Sequence, residues 1–314
     1  MLKYLLKKIG QSIITLVIIV TVVFMLMRLM PEEGYFSGNY DKLDATQREN
    51  ILTNLGLRDP MHIQLYNFYK NLLHGDFGDS IKYRPGVPVS DIILSKIPYS
   101  IWFGLGSMAL SLVIGVCLGV LMARSKGKFW DKLGTGYIVF INAVPAAIYY
   151  LFLQLYVTDI CKLPILFNSD NPTSWILPLI SLSLGSIASY AMWMRRYMVD
   201  ELNKDYIRLA RAKGMANSEI MFKHVLRNAF VPMAQYLPAS LLFTISGSLY
   251  IESLYSIPGM GGLLVDAIRL QDNTLVQALV LIFAAISIAG LFLGDILMAI
   301  IDPRIKLVKK EGAR

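Results

Sequence analysis

Charge is scarce in this chain. Of its 314 residues, 17% are charged and 55% hydrophobic, and the mean hydropathy is +0.52. Soluble domains carry about 25% charged residues, so the shortage excludes an ordinary soluble fold and points to a chain built for lipid. Cysteine and histidine are nearly missing as well. Cys117 and Cys161 cannot make a disulfide framework or a zinc knuckle, and His62, His74 and His224 are scattered, so no metal site is encoded. The chain also lacks G-x-x-x-x-G-K-[ST], G-x-S-x-G and H-E-x-x-H. It has no nucleotide cradle and no recognisable catalytic motif; energy for any driven process has to enter from another chain.

What the sequence does have is long apolar runs. Residues 9–30, 98–122, 133–158, 174–194, 231–251 and 276–301 are each long enough to cross a core of about 30 Å. We expect an all-α, polytopic membrane protein with six transmembrane helices. The run 133–158 is interrupted by Asn142, Pro145 and Gln154, which makes five the fallback count. The first run ends in Arg28-Leu29-Met30-Pro31 without a small-residue cleavage site, so it reads as a retained anchor. Basic residues set the orientation. Two thirds of the 30 Lys and Arg fall in segments that share one side, while Lys162 and Arg269 stand alone in the two short loops opposite. Both termini are therefore expected in the cytoplasm. The net charge of +8 is then mainly a topology signal, and no basic soluble face for nucleic acid is discernible.

Residues 1–30 form the first helix, and 31–97 an extracytoplasmic loop too long to be structureless. It contains two predicted short helices. One follows Asp44 as N-cap and stops at Gly56; the other follows Asp59 as N-cap with Pro60 at its first position and stops at Gly75. Residues 77–98, with three prolines and an amphipathic turn, suit the outer interface. A five-helix core spans 98–303, including a cytoplasmic loop at 195–230, and 304–314 form a tail.

Small and polar residues inside the spans mark contact faces. Ser107, Ser111, Gly115 and Gly119 recur every four positions, a ridge that lets another helix approach closely. Gly290 and Gly294 repeat the device. Ser240, Thr244, Ser248 and Glu252 share one side of the predicted fifth helix, as a cavity lining or as hydroxyls bonded back to their own helix. Asp295 is the one carboxylate well inside a span and is expected as a buried ion-pair partner, with a place in a pathway as the alternative.

The loop 195–230 holds a dense basic stretch, "YIRLARAKGM". It reads as one helix over 197–212 ending before Gly214, and a second from N-cap Asn217 to about Asn228. Charges surround its apolar residues, so a groove on a soluble partner is a better seat than lipid. Ile207, Leu209, Ala210 and Met215 are the expected packing contacts; an ordinary positive-inside loop is the alternative.

The pattern "DYIRLARAKGM...EIMFKHVLRNAFVP" resembles the coupling loop of permease subunits of bacterial ABC importers. "GLRDPMHIQLYNFYKNLLHGDFGDS", "IESLYSIPGMGGLLVDAI" and the closing "IDPR" resemble the first permease of the oligopeptide, dipeptide and nickel group. In the generic E-A-A-x-x-x-G pattern only Ala210 and Gly214 hold; Arg208 and Leu209 occupy the first two positions. The resemblance implies a type I importer permease fold in the bacterial plasma membrane. It implies that Ala210, Arg211, Ala212, Lys213 and Gly214 belong to a coupling helix seated in an ATPase cleft. It also implies a second homologous permease, two ATPase subunits binding ATP and Mg, and an extracytoplasmic substrate-binding protein. A peptide substrate is expected, with nickel or another small solute as the alternative. An intramembrane enzyme using Asp295 or Glu252 and a passive channel are readings from other classes.

Overall fold

The computed structural model describes residues 2–36, 40–234, 236–245 and 248–301. Among them there is no strand, only an isolated bridge between Asp79 and Pro88. The "IDPR" residues beyond 301, the tail and the side chain of Thr244 lie outside the described residues.

Among the described residues, four helices are long and apolar enough to cross a membrane. The first, α1 (Leu2–Arg28), is followed by the small helices α2 (Ala45–Asn54) and α3 (Met61–Leu73). Asp44 caps α2 through Gln47 N–H, and Gln47 reaches back to the cap, a reciprocal pair that satisfies two free backbone donors. The second long helix, α4 (Val89–Arg124), starts well before the predicted 98 and runs through Pro98. Burial explains the difference. Val89, Ile92 and Ile93 are enclosed with Met260, Leu263, Leu264 and Ala267, so tertiary packing holds as helix a stretch expected at the interface.

The third apolar run is broken. α5 (Phe129–Ala143) and the stretch Ala146–Cys161 meet at 109°. Pro145 has no N–H to donate, and the residue before it, Val144, is extended (φ −88, ψ 129). Beyond it, α6 (Ala146–Phe152) and α7 (Thr158–Cys161) are joined by a π-helical turn, Leu153–Val157. Counting this bent pair as one crossing gives five candidate spans.

α8 (Ile176–Leu202) leads to the short pair α9 (Asp205–Ala212) and α10 (Asn217–Glu219), the latter continued by a π-helical turn, Ile220–Leu226. The predicted fifth span is divided. α11 (Arg227–Ala234), α12 (Leu237–Ile245) and α13 (Leu249–Tyr255) cover it, followed by α14 (Met260–Leu270) and the last long helix, α15 (Asn273–Ile301).

The most extensive helix contact joins α4 to α8. A Cβ at Gly119 would lie 2.7 Å from Met194 Cβ and 2.8 Å from the Ala191 carbonyl; one at Gly115 would lie 2.8 Å from Tyr190 Cβ. Ser107 and Ser111 are buried on the same face, and Ser111 Oγ lies within hydrogen-bonding distance of the Ser107 (2.6 Å) and Ser183 (3.2 Å) carbonyls. Gly290 of α15 similarly meets Leu242 and Ala239 of α12.

Candidate functional site

The elbow after α8 is built from α9, its turn and the helix beyond. Leu202 ends α8, and Lys204 in extended geometry caps α9, so the predicted helix over 197–212 is really two pieces. Asp205 in the first turn and Arg211 in the last complement the α9 dipole. At the far end Gly214 takes φ +80, its N–H donates to the Arg211 carbonyl at 2.9 Å, and Met215 N–H donates to Ala210 at 3.2 Å. This pair of bonds is a Schellman ending, which needs a left-handed residue at its centre. A Cβ at Gly214 would meet nothing within 4 Å, so the requirement there is backbone conformation and not space.

The elbow is tied to the bundle by Tyr206. Its hydroxyl bonds the Glu201 carboxylate at 2.5 Å and accepts from Asn228 Nδ2 at 2.9 Å, linking α8, α9 and α11. Burial and the neighbouring Glu201 push this phenol above its ordinary pKa. Sequence reasoning placed Tyr206 on the helix but gave it no such role; its partners lie 5 and 22 positions away.

Of the expected packing contacts, Leu209 is 57% exposed, whereas Ile207 is fully buried. Ile207, Ala210 and Met215 pack against Met194, Met198, Ile220 and Val225 of this same chain. That corrects the assignment of all four to a partner's groove: an amphipathic turn anchored on its own bundle has one apolar face already used. Arg208, Leu209, Arg211, Ala212, Lys213 and Gly214 remain exposed. The second helix begins after Ala216 as N-cap, one residue before the predicted Asn217, and continues past Asn228 through Pro232 to Ala234.

The polar face proposed for the fifth span does not form as one line. Ser240 Oγ shares a 2.9 Å hydrogen bond with Tyr190 and lies 3.0 Å from the Leu237 carbonyl, and Ser248 is the N-cap of α13, accepting from Ile251 N–H at 3.3 Å. Glu252 is only 2% exposed and points into the protein. Its Oε1 accepts from Ser100 Oγ at 3.1 Å and its Oε2 from Gly262 N–H at 2.9 Å. A Cβ at Gly259 would lie 2.4 Å from that carboxylate. Glu252 is thus an internal tie between α4, α13 and α14 and not a lining residue. The glycines of "IPGMGG" are the sequence signal that could have located this cradle, because only they let backbone approach a carboxylate so closely.

A second carboxylate, absent from the sequence reading, clamps the loop before α4. Asp272 Oδ2 accepts from Ser80 Oγ at 2.6 Å and from the N–H groups of Ile81, Lys82 and Tyr83 at 3.1, 2.9 and 2.9 Å, while Oδ1 caps α15 at Leu275. Burial pulls its pKa up, but these donors outweigh it and hold it below the usual value. Asp295 pairs with Lys8 of α1 at 2.8 Å; its side chain is 32% exposed, so this is a half-exposed pair and not the buried charge expected. Between α5 and α8, Arg195 grips both oxygens of Asp131, at 2.5 and 2.8 Å. Among the described residues, no group of three or more His, Cys, Asp or Glu is placed to hold a metal.

With this architecture in view, the similarities of the chain are informative. Residues 115–307 match the family described as binding-protein-dependent transport system inner membrane component, and residues 1–103 match its N-terminal counterpart. The chain belongs to this family. It is therefore an inner-membrane transport component and not an enzyme. The permease is 34% identical over 308 residues to the oligopeptide transport system permease protein OppB of Salmonella typhimurium, covering 98% of this chain and 100% of the relative. It is 32% identical over 307 residues to the dipeptide transport system permease protein DppB of Lactococcus lactis, with 98% and 100% covered. It is 33% identical over 307 residues to the glutathione transport system permease protein GsiC of Salmonella typhimurium, with 98% and 99% covered. A crystal structure of an amino acid ABC transporter shares the fold, with TM-score 0.52 and 15% identity over 68% of this permease and 94% of that chain.

Proposed function

We propose that this permease is one of two homologous subunits enclosing the pathway of an ATP-driven importer, and that its cargo is a short peptide. The observation that carries the reading is full-length similarity to oligopeptide, dipeptide and glutathione permeases. In this reading the bent pair α5 and α6–α7 is the third of six spans and α11 to α13 the fifth, which leaves both termini in the cytoplasm. The exposed side of the elbow, centred on Leu209 and Lys213, docks into the cleft of an ATPase subunit. Two such subunits bind ATP and Mg, and an extracytoplasmic binding protein delivers substrate to the outer cap formed by α2 and α3.

The mechanism follows from rigidity. Ile207 and Ala210 root α9 in the bundle and Tyr206 clips it to α8 and α11, so a push on Leu209 is carried into the spans and not absorbed locally. The push does work only if the ATPase states bind the elbow with different affinity. Peptide uptake and co-purification test the proposal together. Wild-type permease should leave the membrane with a second permease and two ATPase subunits, and Leu209→Asp should lose the ATPases and uptake while still inserting. Retention of both by that variant would exclude the elbow as the coupling surface. Uptake of nickel in place of peptide by the assembled complex would overturn the cargo assignment.

A further inference from the structure

A cavity of about 320 Å³ lies on the inner flank of the elbow, between the cytoplasmic end of α4 and the start of α10. Its polar lining is Arg124, Arg211, Asn217 and Ser218; its apolar lining is Ala123, Leu202, Ile220 and Met221. Its size falls at the lower end of small-molecule sites. Among the described residues neither Arg124 nor Arg211 makes an ion pair or a hydrogen bond, whereas four carboxylates of the flanking segments are held by other partners. Asp131 is held by Arg195, Glu201 by Lys204 and Tyr206, Asp205 by Arg208 and Glu219 by Lys223.

We propose that this cavity binds the phosphate of an anionic phospholipid of the cytoplasmic leaflet. Position favours a lipid over a protein carboxylate. Arg124 is the last residue of a helix apolar along nearly its whole final run, from Leu112 to Ala123, which sets it at the inner membrane surface. Ile207 and Ala210 face the bundle, so the elbow surface offered to a soluble subunit is the opposite one, around Leu209. The mixed lining matches the boundary between a headgroup and its first acyl carbons, with paired arginines for the phosphate and neutral donors from Asn217 and Ser218 beside them. A lipid seated there would brace the elbow against α4 and make coupling depend on membrane composition.

Native mass spectrometry of the full-length permease in its complex tests this, with phosphatidylglycerol and phosphatidylcholine as probes. Wild type should retain one phosphatidylglycerol more than the double variant Arg124→Gln/Arg211→Gln, with apparent affinity falling on the order of thirtyfold for the two charges. Phosphatidylcholine retention should not change, and Arg124→Lys/Arg211→Lys, which keeps both charges, should retain most of the binding and shows that the site folds. Equal retention by wild type and the Gln variant would overturn the proposal. So would loss of the ATPase subunits from the Gln variant with its lipid intact, which would assign the arginines to a protein carboxylate. Added inorganic phosphate should leave the lipid in place; its displacement would reassign the cavity to a free anion.

Discussion

Ser80 and Asp272, 192 positions apart, share a 2.6 Å hydrogen bond that fixes the loop before α4 to the start of α15. The same carboxylate oxygen collects three consecutive backbone N–H groups. Through these bonds one residue ties the segment before α4 to the start of α15.

Asp272→Ala should expose those donors without partners and destabilise the outer region by roughly 3 kcal/mol, since hydrogen bonds to a charged acceptor are the strong ones. Hydrogen exchange at residues 81–83 measures it: protection should fall in the variant while that of α8 holds. Unchanged protection at 81–83 would show that the loop is held by other contacts.

The pH dependence of the same clamp has a definite sign. Its folded pKa is lowered, so its stabilisation is complete above the unfolded carboxylate value, about 3.9, and is lost only as pH falls through the lower folded value. Amide protection at 81–83 should persist from neutral pH down to the ordinary carboxylate range and fail below it. Loosening already at mildly acidic pH, absent in Asp272→Ala, would contradict this.

Gly214→Val should place a β-branched residue at φ +80, a strain of about 1–3 kcal/mol. Because nothing lies within 4 Å of the added Cβ, the loss comes from conformation alone. Gly214→Asn, which tolerates the left-handed region, should keep most of the function. The expected outcome for Val is normal membrane insertion with ATP hydrolysis uncoupled from uptake; equal uptake by Val and Asn variants would separate the turn from coupling.

Gly119→Ala should be more damaging than its size suggests, because its Cβ would meet the Ala191 carbonyl at 2.8 Å and Met194 Cβ at 2.7 Å, neither a flexible side-chain end. Overpacking of this kind costs typically 1–3 kcal/mol. Thermal unfolding in detergent should show a lowered midpoint, whereas Gly136→Ala, with nothing within 4 Å, should leave it unchanged. Matching midpoints for the two would mean that α4 and α8 adjust freely.

Arg195→Gln should leave Asp131, 7% exposed in its side chain, with Gly127 N–H as its remaining partner and weaken the seam between α5 and α8 by about 2 kcal/mol. The double variant Arg195→Gln/Asp131→Asn should recover part of that stability. A double variant worse than the sum of the singles would show that each group has a separate task.

Much of the architecture was legible along the chain. Unbroken apolar runs marked the cores of α1, α4, α8 and α15, and four-residue spacing put Ser107, Ser111, Gly115 and Gly119 on the face that meets α8. Gly214 announced its turn through local backbone chemistry alone. The elbow was harder to read. Ile207 and Leu209 carry the same kind of side chain two positions apart, yet one is fully buried and the other faces outward, because helical phase relative to the bundle separates them.

The sequence by itself determined the solvent, the helical class and the places where the backbone must turn, because hydropathy, proline and glycine act over a few neighbouring residues. Tertiary structure alone decided what the carboxylates do. Glu252 looked like a member of a polar stripe until Ser100, 152 positions away, and Gly262 enclosed it, and Asp272 drew no notice until the outer loop folded onto it. A carboxylate's role depends on which donors surround it, and those donors are gathered by the packing of distant helices.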